Sequence, residues 1–283
     1  MGIARLICGK KIAENYLLSA ARQVKKLSLK GRGLTLATVQ VGHAKDAVLY
    51  SKHLGQLLKR VGIRWAPTVF MANESESKIL DKMKSLNSNP AVTGILVFSP
   101  LPAHIDPANI LNHVSLSKDV EGRTFLKRQT GALSHFGVFS PTANAVLMLI
   151  ESVKSDIAGK QAVVVGHSDL VGKPIAVLLM DKLATVTVCH VKTKNPGDYL
   201  RSADIVVAAV GRPNLIKGQW LKQGSIVIDV GENIVDGKII GDVEFESAKK
   251  KAAYLSPVPG GVGPVTNVML VRNIIRLAKL GEK

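Results

Sequence analysis

The sequence predicts an α/β protein built as two domains, and three observations carry that reading. Strand-like apolar runs alternate with amphipathic helical segments along most of the chain, the pattern of a parallel sheet with helices on its faces. In the second half the strand segments AVVVG, ATVTVCH, DIVVAAVG and SIVIDVG are continuous apolar runs, as central parallel strands require. Between the two alternating stretches, residues 102–140 lose periodicity and turn polar, which puts the domain junction there. With 283 residues, 46% of them hydrophobic, the chain can fill two cores.

In the first half, Ile12, Tyr16, Leu17, Ala20, Ala21 and Val24 share one face of a helix over residues 11–29. Gly31 and Gly33 end it, and LTLATVQVG follows as a buried strand closed by Gly42. AVLYSKHLGQLLKRVG gives a second helix ending at Gly62. A strand follows at Trp65 to Met71, and SESKILDKMKSLN is a third helix with Ser75 as its N-cap. VTGILVFSPLP is a strand that stops at Pro100.

The second half opens with a long helix, SPTANAVLMLIESV (140–153), and then reaches QAVVVGHSDLVGKP (161–174). Gln161 to Val165 reads as a buried strand; Gly166, Ser168, Gly172 and Pro174 punctuate a turn into the apolar helix IAVLLM. A glycine at a strand end lets backbone N–H groups approach a phosphate, and the helix N-terminus behind it adds partial positive charge. The turn departs from the common GxGxxG fingerprint, since position 168 is serine and the second glycine falls six residues after the first. On the turn alone, an ordinary strand-to-helix connection fits equally well. After PVPGGVGPVT, the helix NVMLVRNIIRLAKL is apolar enough to pack on the first domain. The domains are therefore expected at 1–139, completed by helix 267–283, and at 140–266.

Composition narrows the function classes. The net charge of +17, from 38 Lys and Arg against 21 Asp and Glu, attracts polyanions, yet the basic residues are scattered and aromatics make up only 4%. No nucleic-acid-binding pattern appears, so a solvated basic surface is the better reading. Cys8 and Cys189 are the two cysteines, which suits a reducing compartment without a disulfide framework. No apolar run reaches the roughly 18 residues of a membrane span, and the N-terminus lacks a signal peptide's hydrophobic stretch, so a cytoplasmic location is expected.

Five stretches taken in order carry a resemblance: YSKH (50–53), GILVFSPLP (94–102), KDVEG (118–122), GHSDLVGKP (166–174) and PVPGGVGPVT (257–266). Over nearly its whole length the chain resembles the bifunctional methylenetetrahydrofolate dehydrogenase/methenyltetrahydrofolate cyclohydrolase family. The resemblance implies two α/β domains around a cleft, the first holding folate and the second a Rossmann-type parallel sheet for a nicotinamide cofactor, with two chains pairing through it. It also implies hydride removal from 5,10-methylenetetrahydrofolate, then hydrolysis of the methenyl cation to 10-formyltetrahydrofolate. The hydride step needs chiefly alignment; water attack needs proton transfer as well. No metal is implied.

Carried over residue by residue, the resemblance assigns Tyr50 to packing on the substrate rings, and Val97, Phe98 and Ser99 to the substrate wall. Four residues after Tyr50 the family has a lysine that activates substrate and water; here that position is Leu54. Lys52 is no replacement, since two helical steps turn a side chain about 200° from Tyr50. His53 shares the general face of Tyr50 and is either a substitute base or a solvated histidine. Phe98 stands where the family has a glutamine that hydrogen-bonds the lysine. Losing both is coherent, because either polar group left alone in a dry site costs about 1–3 kcal/mol. Glu121 stands for an aspartate that pairs with pterin N–H groups, one methylene further out. Tyr50 and Glu121 are therefore the catalytic candidates.

On the cofactor side the resemblance assigns Gly166, His167, Ser168 and Gly172 to the phosphate and ribose turn. Lys192 and Lys194 follow the strand ATVTVCH near where an adenosine 2′-phosphate lies, which prefers NADP over NAD; they read equally well as surface lysines. Glu232 replaces an apolar residue beside the nicotinamide. Pro259, Gly260, Gly261, Gly263 and Pro264 form a rigid loop whose bare backbone approaches folate and nicotinamide, and Thr266 caps the final helix facing the cleft. The expected protein is a homodimeric NADP-dependent dehydrogenase with cyclohydrolase activity lost or weak. The alternatives are a non-catalytic relative acting as a binding or regulatory protein, and an enzyme with a less polar substrate.

Overall fold

The structure is a computed structural model that describes residues 2–123 and 138–281. Two compact units divide the chain: residues 16–139 with 270–283, and residues 1–15 with 140–269. None of the described helices is long and apolar enough to cross a membrane. Helix α1 (Gly9–Leu29) and the last helix, α9 (Val262–Leu280), each contribute residues to both units. Residues 282 and 283 of the expected final helix lie outside the described residues.

The first of these units is a three-stranded parallel sheet in the order β3-β2-β4, from β2 (Thr35–Val41), β3 (Arg64–Phe70) and β4 (Gly94–Val97). All seven residues of β2 are buried, Thr35, Thr38 and Gln40 included, as befits the central strand of a parallel sheet. Pro67 is accommodated because β3 is a sheet edge. Helix α2 (Lys45–Val61) ends at Gly62, whose φ of 80° is left-handed and whose N–H caps the last carbonyls. Helix α3 (Glu76–Ser88) starts at Ser75, whose Oγ accepts from the Lys78 N–H. Ile79, Met83 and Leu86 of α3 pack on Ala37, Val39, Ile95 and Val97 of the sheet, together with Ile110 of the short helix α4 (Pro107–Asn112). Near the end of the chain, buried Asn273 donates from Nδ2 to the carbonyls of Val120 and Phe139, both at 2.8 Å.

The other unit is a six-stranded parallel sheet in the order β1-β11-β8-β7-β5-β6. Its strands are β1 (Arg5–Leu6), β5 (Gln161–Val165), β6 (Thr185–Cys189), β7 (Ile205–Ala208), β8 (Ile226–Asp229) and β11 (Tyr254–Leu255). A small antiparallel pair, β9 (Asn233–Val235) and β10 (Lys238–Ile240), stands beside it. From β5 the chain passes to β6 on one side and then to β7 on the other, so the order reverses at β5. Helices α5 (Pro141–Ser152), α6 (Gly172–Asp181), α7 (Pro196–Leu200) and α8 (Phe245–Lys249) complete the unit. Ser140 caps α5 by accepting from the Ala143 N–H at 3.1 Å.

Three expectations are corrected. Residues 1–15 group with the six-stranded sheet instead of the first domain, because Arg5 and Leu6 pair with Tyr254 and Leu255. ATVTVCH is an edge strand, half exposed, instead of a central one. The final helix begins at Val262, so Gly263 and Pro264 lie in its first turn and not in a loop; a proline there has no intrahelical N–H bond to lose.

Candidate functional site

Reversal of strand order at β5 opens a crevice at the carboxyl ends of the strands, where doubly wound sheets bind ligands. A cavity of about 370 Å³ sits there. Val165 and Gly166 line it from the end of β5, Cys189 and His190 from the end of β6, and Ala209, Val210 and Arg212 from the end of β7. Gly166 has a φ of 119°, and a Cβ on it would lie 2.1 Å from the Ala209 carbonyl oxygen. A Cβ on Gly172 would lie 2.1 Å from the Gly166 oxygen. Both glycines are required by backbone packing, which settles the turn as a tight corner with the α6 N-terminus behind it.

Three of the sequence candidates, Gly166, His167 and Ser168, line this cavity. The ring of His167 meets that of His190 with centroids 5.3 Å apart. Sequence reasoning missed His190 and Arg212, which sit on loops that only the sheet order brings together. The lysine candidates fare differently: Lys192 and Lys194 are exposed and outside the lining, and Lys192 reaches His190 through its backbone N–H, 3.2 Å from Nδ1.

Behind the cavity lies a pair of buried carboxylates. Asp242, fully buried, accepts from the backbone N–H groups of Val210 at 2.6 Å, Gly211 at 3.0 Å and Arg212 at 2.9 Å, and from Asn233 Nδ2 at 2.9 Å. Asp229 accepts from the N–H groups of Gly231, Asp242 and Val243. Burial pushes the Asp229 carboxyl up to about 6; the three N–H groups oppose that and neighbouring Asp242 adds to it. This network fixes the 209–212 loop on the cavity wall.

The terminal glycine loop is held by its own backbone. Gly260 has a φ of 108° and its carbonyl accepts from the Gly9 N–H at 2.9 Å. A Cβ on Gly9 would fall 1.8 Å from the Gly261 oxygen, and the Gly261 N–H donates to the Pro257 carbonyl at 2.8 Å. Pro259, Gly260 and Gly261 line neither this cavity nor the one in the other unit. Glu232 lies beside Gly263, with Oε1 2.8 Å from where a Cβ would stand. Thr266 is not a cap: it lies inside α9, and its Oγ1 donates back to the Val262 carbonyl.

The folate candidates form a separate cavity of about 350 Å³ in the three-stranded unit, lined by Ala47, Tyr50, Leu96, Val97, Phe98, Ser99, Glu121 and Arg123. Tyr50 projects from α2 and meets Phe98, just past β4, edge to face at 5.6 Å and 71°. The crowded surroundings push the Tyr50 phenol up to about 12, with the Glu121 charge adding to the effect, although the residue as a whole stays 38% exposed. Glu121 is held above its ordinary range, chiefly by burial, against the opposing effect of Arg123. Arg123 forks onto it, Nε to Oε2 at 2.8 Å and Nη2 to Oε1 at 3.2 Å. Sequence reasoning missed Arg123, whose partner is fixed by the turn at Gly122. Leu54 is 2% exposed and packs in the core without lining the cavity, and His53 is exposed and outside it.

The comparisons with known proteins agree with both halves. Residues 7–121 match the tetrahydrofolate dehydrogenase/cyclohydrolase catalytic domain, and residues 140–282 match the NAD(P)-binding domain of the same family. Bifunctional protein FolD 2 of Geobacter sulfurreducens is 41% identical over 281 residues, covering 98% of each chain. The crystal structure of the bifunctional FolD enzyme from Campylobacter jejuni superposes with a TM-score of 0.92 at 36% identity, covering 98% of this chain and 99% of that one. A Trypanosoma brucei FolD, complexed with NADP cofactor and inhibitor, gives 0.89 at 34% identity over 100% of both chains. The chain belongs to the tetrahydrofolate dehydrogenase/cyclohydrolase family.

Proposed function

We propose that the chain is a 5,10-methylenetetrahydrofolate dehydrogenase that uses NADP and has lost, or nearly lost, the cyclohydrolase step. The observation that carries this reading is the folate cavity itself: Tyr50 and Glu121 line it, while the position of the activating lysine is a core leucine. Tyr50 offers a ring face for the substrate to stack on, braced by Phe98. Glu121 offers a carboxylate to the pterin N–H groups and to the positive charge that hydride loss creates. Hydride transfer asks for this alignment and little else. Methenyl hydrolysis also needs a proton acceptor, and Tyr50, pushed up to about 12, is poorly suited to that at neutral pH.

The corner at Gly166 and Gly172 fits a dinucleotide, because its two glycines permit the close backbone approach that a phosphate-binding turn at a helix N-terminus needs. When bound, the nicotinamide cofactor accepts the hydride. Gly166, His167 and Ser168 would hold its phosphates and ribose, with Arg212 and His190 on the facing wall. These basic groups, and the NADP in the Trypanosoma brucei relative, favour NADP over NAD. Lys192, Glu232 and the Pro259 to Gly261 loop enter this reading as contributors that come from the family resemblance. Pairing of two chains through the six-stranded unit belongs to the same reading, and sedimentation at micromolar concentration tests it.

The deciding assay supplies purified protein with 5,10-methylenetetrahydrofolate and either NADP or NAD, following reduced cofactor and the methenyl product together. Reduced NADP with accumulating methenyl product is expected. Prompt loss of the methenyl signal overturns the missing cyclohydrolase step. A folded protein that turns over neither cofactor overturns the dehydrogenase reading in favour of the non-catalytic relative.

A further inference from the structure

We propose that Arg123 is a positioning residue for the folate reaction, holding the Glu121 carboxylate aimed into the cavity and negatively charged; the proposal rests on the folate reading of that cavity. Arg123 is the one basic side chain among the described residues of the lining. Among the described residues its hydrogen bonds go to Glu121, one to each carboxylate oxygen, a planar fork that fixes the carboxylate's rotation as well as its distance. The backbone is built to present the pair. Gly122 has a φ of 66°, and a Cβ on it would lie 2.1 Å from the Val138 oxygen, so the turn between the two side chains tolerates only glycine. The Glu121 N–H is tied to Asp119 Oδ1 at 3.0 Å.

The charged and titratable groups facing Glu121 are Arg123, Asp119 and the Tyr50 phenol. Burial and Asp119 both favour the neutral acid; Arg123 alone of the three opposes them. A neutral carboxyl at this place would no longer face the developing methenyl cation with a negative charge. Guanidinium suits the task because it stays protonated throughout the working pH range and does not act as a base. Arg123 thus gives the cavity a positive charge in a form that steadies a carboxylate but moves no proton.

The test uses the full chain and reads tetrahydrofolate affinity and kcat/KM for 5,10-methylenetetrahydrofolate across pH 5 to 8, with NADP affinity as the internal control. Arg123→Leu is expected to weaken tetrahydrofolate binding roughly tenfold at pH 7, and to move the acidic limb of the profile up by about one pH unit. NADP affinity should change less than twofold. Arg123→Lys should recover part of the shift, and Arg123→Leu should add nothing in a Glu121→Gln background. If Arg123→Leu fails to fold, Arg123→Gln, which keeps length and donors without the charge, carries the same expectation. An unmoved acidic limb with unchanged tetrahydrofolate affinity overturns the proposal. Wild-type binding without turnover overturns the dehydrogenase reading alone, and absence of wild-type binding overturns both.

Discussion

Replacing Asp242 by alanine removes the acceptor that organises the cofactor loop, and the size of the effect follows from its contacts. Four donors converge on the carboxylate, three from the backbone of residues 210–212 and one from Asn233. Hydrogen bonds to a charged group contribute about 1.5 kcal/mol each at the low end, so about 6 kcal/mol is lost. Deleting the buried charge offsets roughly half of that by removing its desolvation cost. The net expectation is a destabilisation of about 3 kcal/mol in the six-stranded unit. Urea unfolding followed by Trp220 fluorescence measures it, and NADP titration should show at least tenfold weaker binding in the protein that remains folded. A loss below 1 kcal/mol with unchanged NADP affinity would refute the view that this carboxylate holds the loop.

Restoring a lysine with Leu54→Lys places an unpaired cation at a position 2% exposed and should cost about 3 kcal/mol by chemical denaturation. Adding Phe98→Gln should recover at least about 1 kcal/mol of that and raise the rate of methenyl hydrolysis; strict additivity would show that the two positions are not coupled. Gly172→Ala forces a Cβ against the Gly166 carbonyl, so NADP affinity should fall tenfold or more while tetrahydrofolate affinity holds within twofold. Asp229, raised from 3.8 to about 6, binds its proton more tightly folded than unfolded. Its contribution to stability is complete below about pH 4 and is lost as pH rises through 6. Relative to Asp229→Asn, the wild type should therefore lose about 2 kcal/mol between pH 4.5 and 7, and a flat difference would show that the carboxyl is not perturbed.

Periodicity made the long elements readable, because burial on a sheet or one helix face leaves its mark on every turn. The strand at Gln161 to Val165, the caps at Ser75 and Ser140 and the corner glycines all follow from local chemistry. Strands β1 and β11 are two residues each, too short to carry a period, and their pairing joins segments far apart in the sequence. Gly263 and Pro264 read as loop residues because a glycine-rich run exposes more backbone than a helix start requires, yet the first helical turn accepts both, proline included. Arg123, His190 and Arg212 were illegible for a different reason. Their meaning depends on neighbours supplied by the turn at Gly122 and by the reversal of strand order, and neither leaves a trace in spacing.

The pairing of Arg5 and Leu6 with Tyr254 and Leu255 also sets a schedule for biosynthesis. Residues 5 and 6 leave the ribosome about 250 residues before their partners, so this edge of the six-stranded sheet can close only after Leu255 has emerged. Until then β1 lacks its sheet partner, and the outer edge of β8 waits unpaired for β11. A chain stalled before Tyr254 would leave both edges exposed to neighbouring nascent chains.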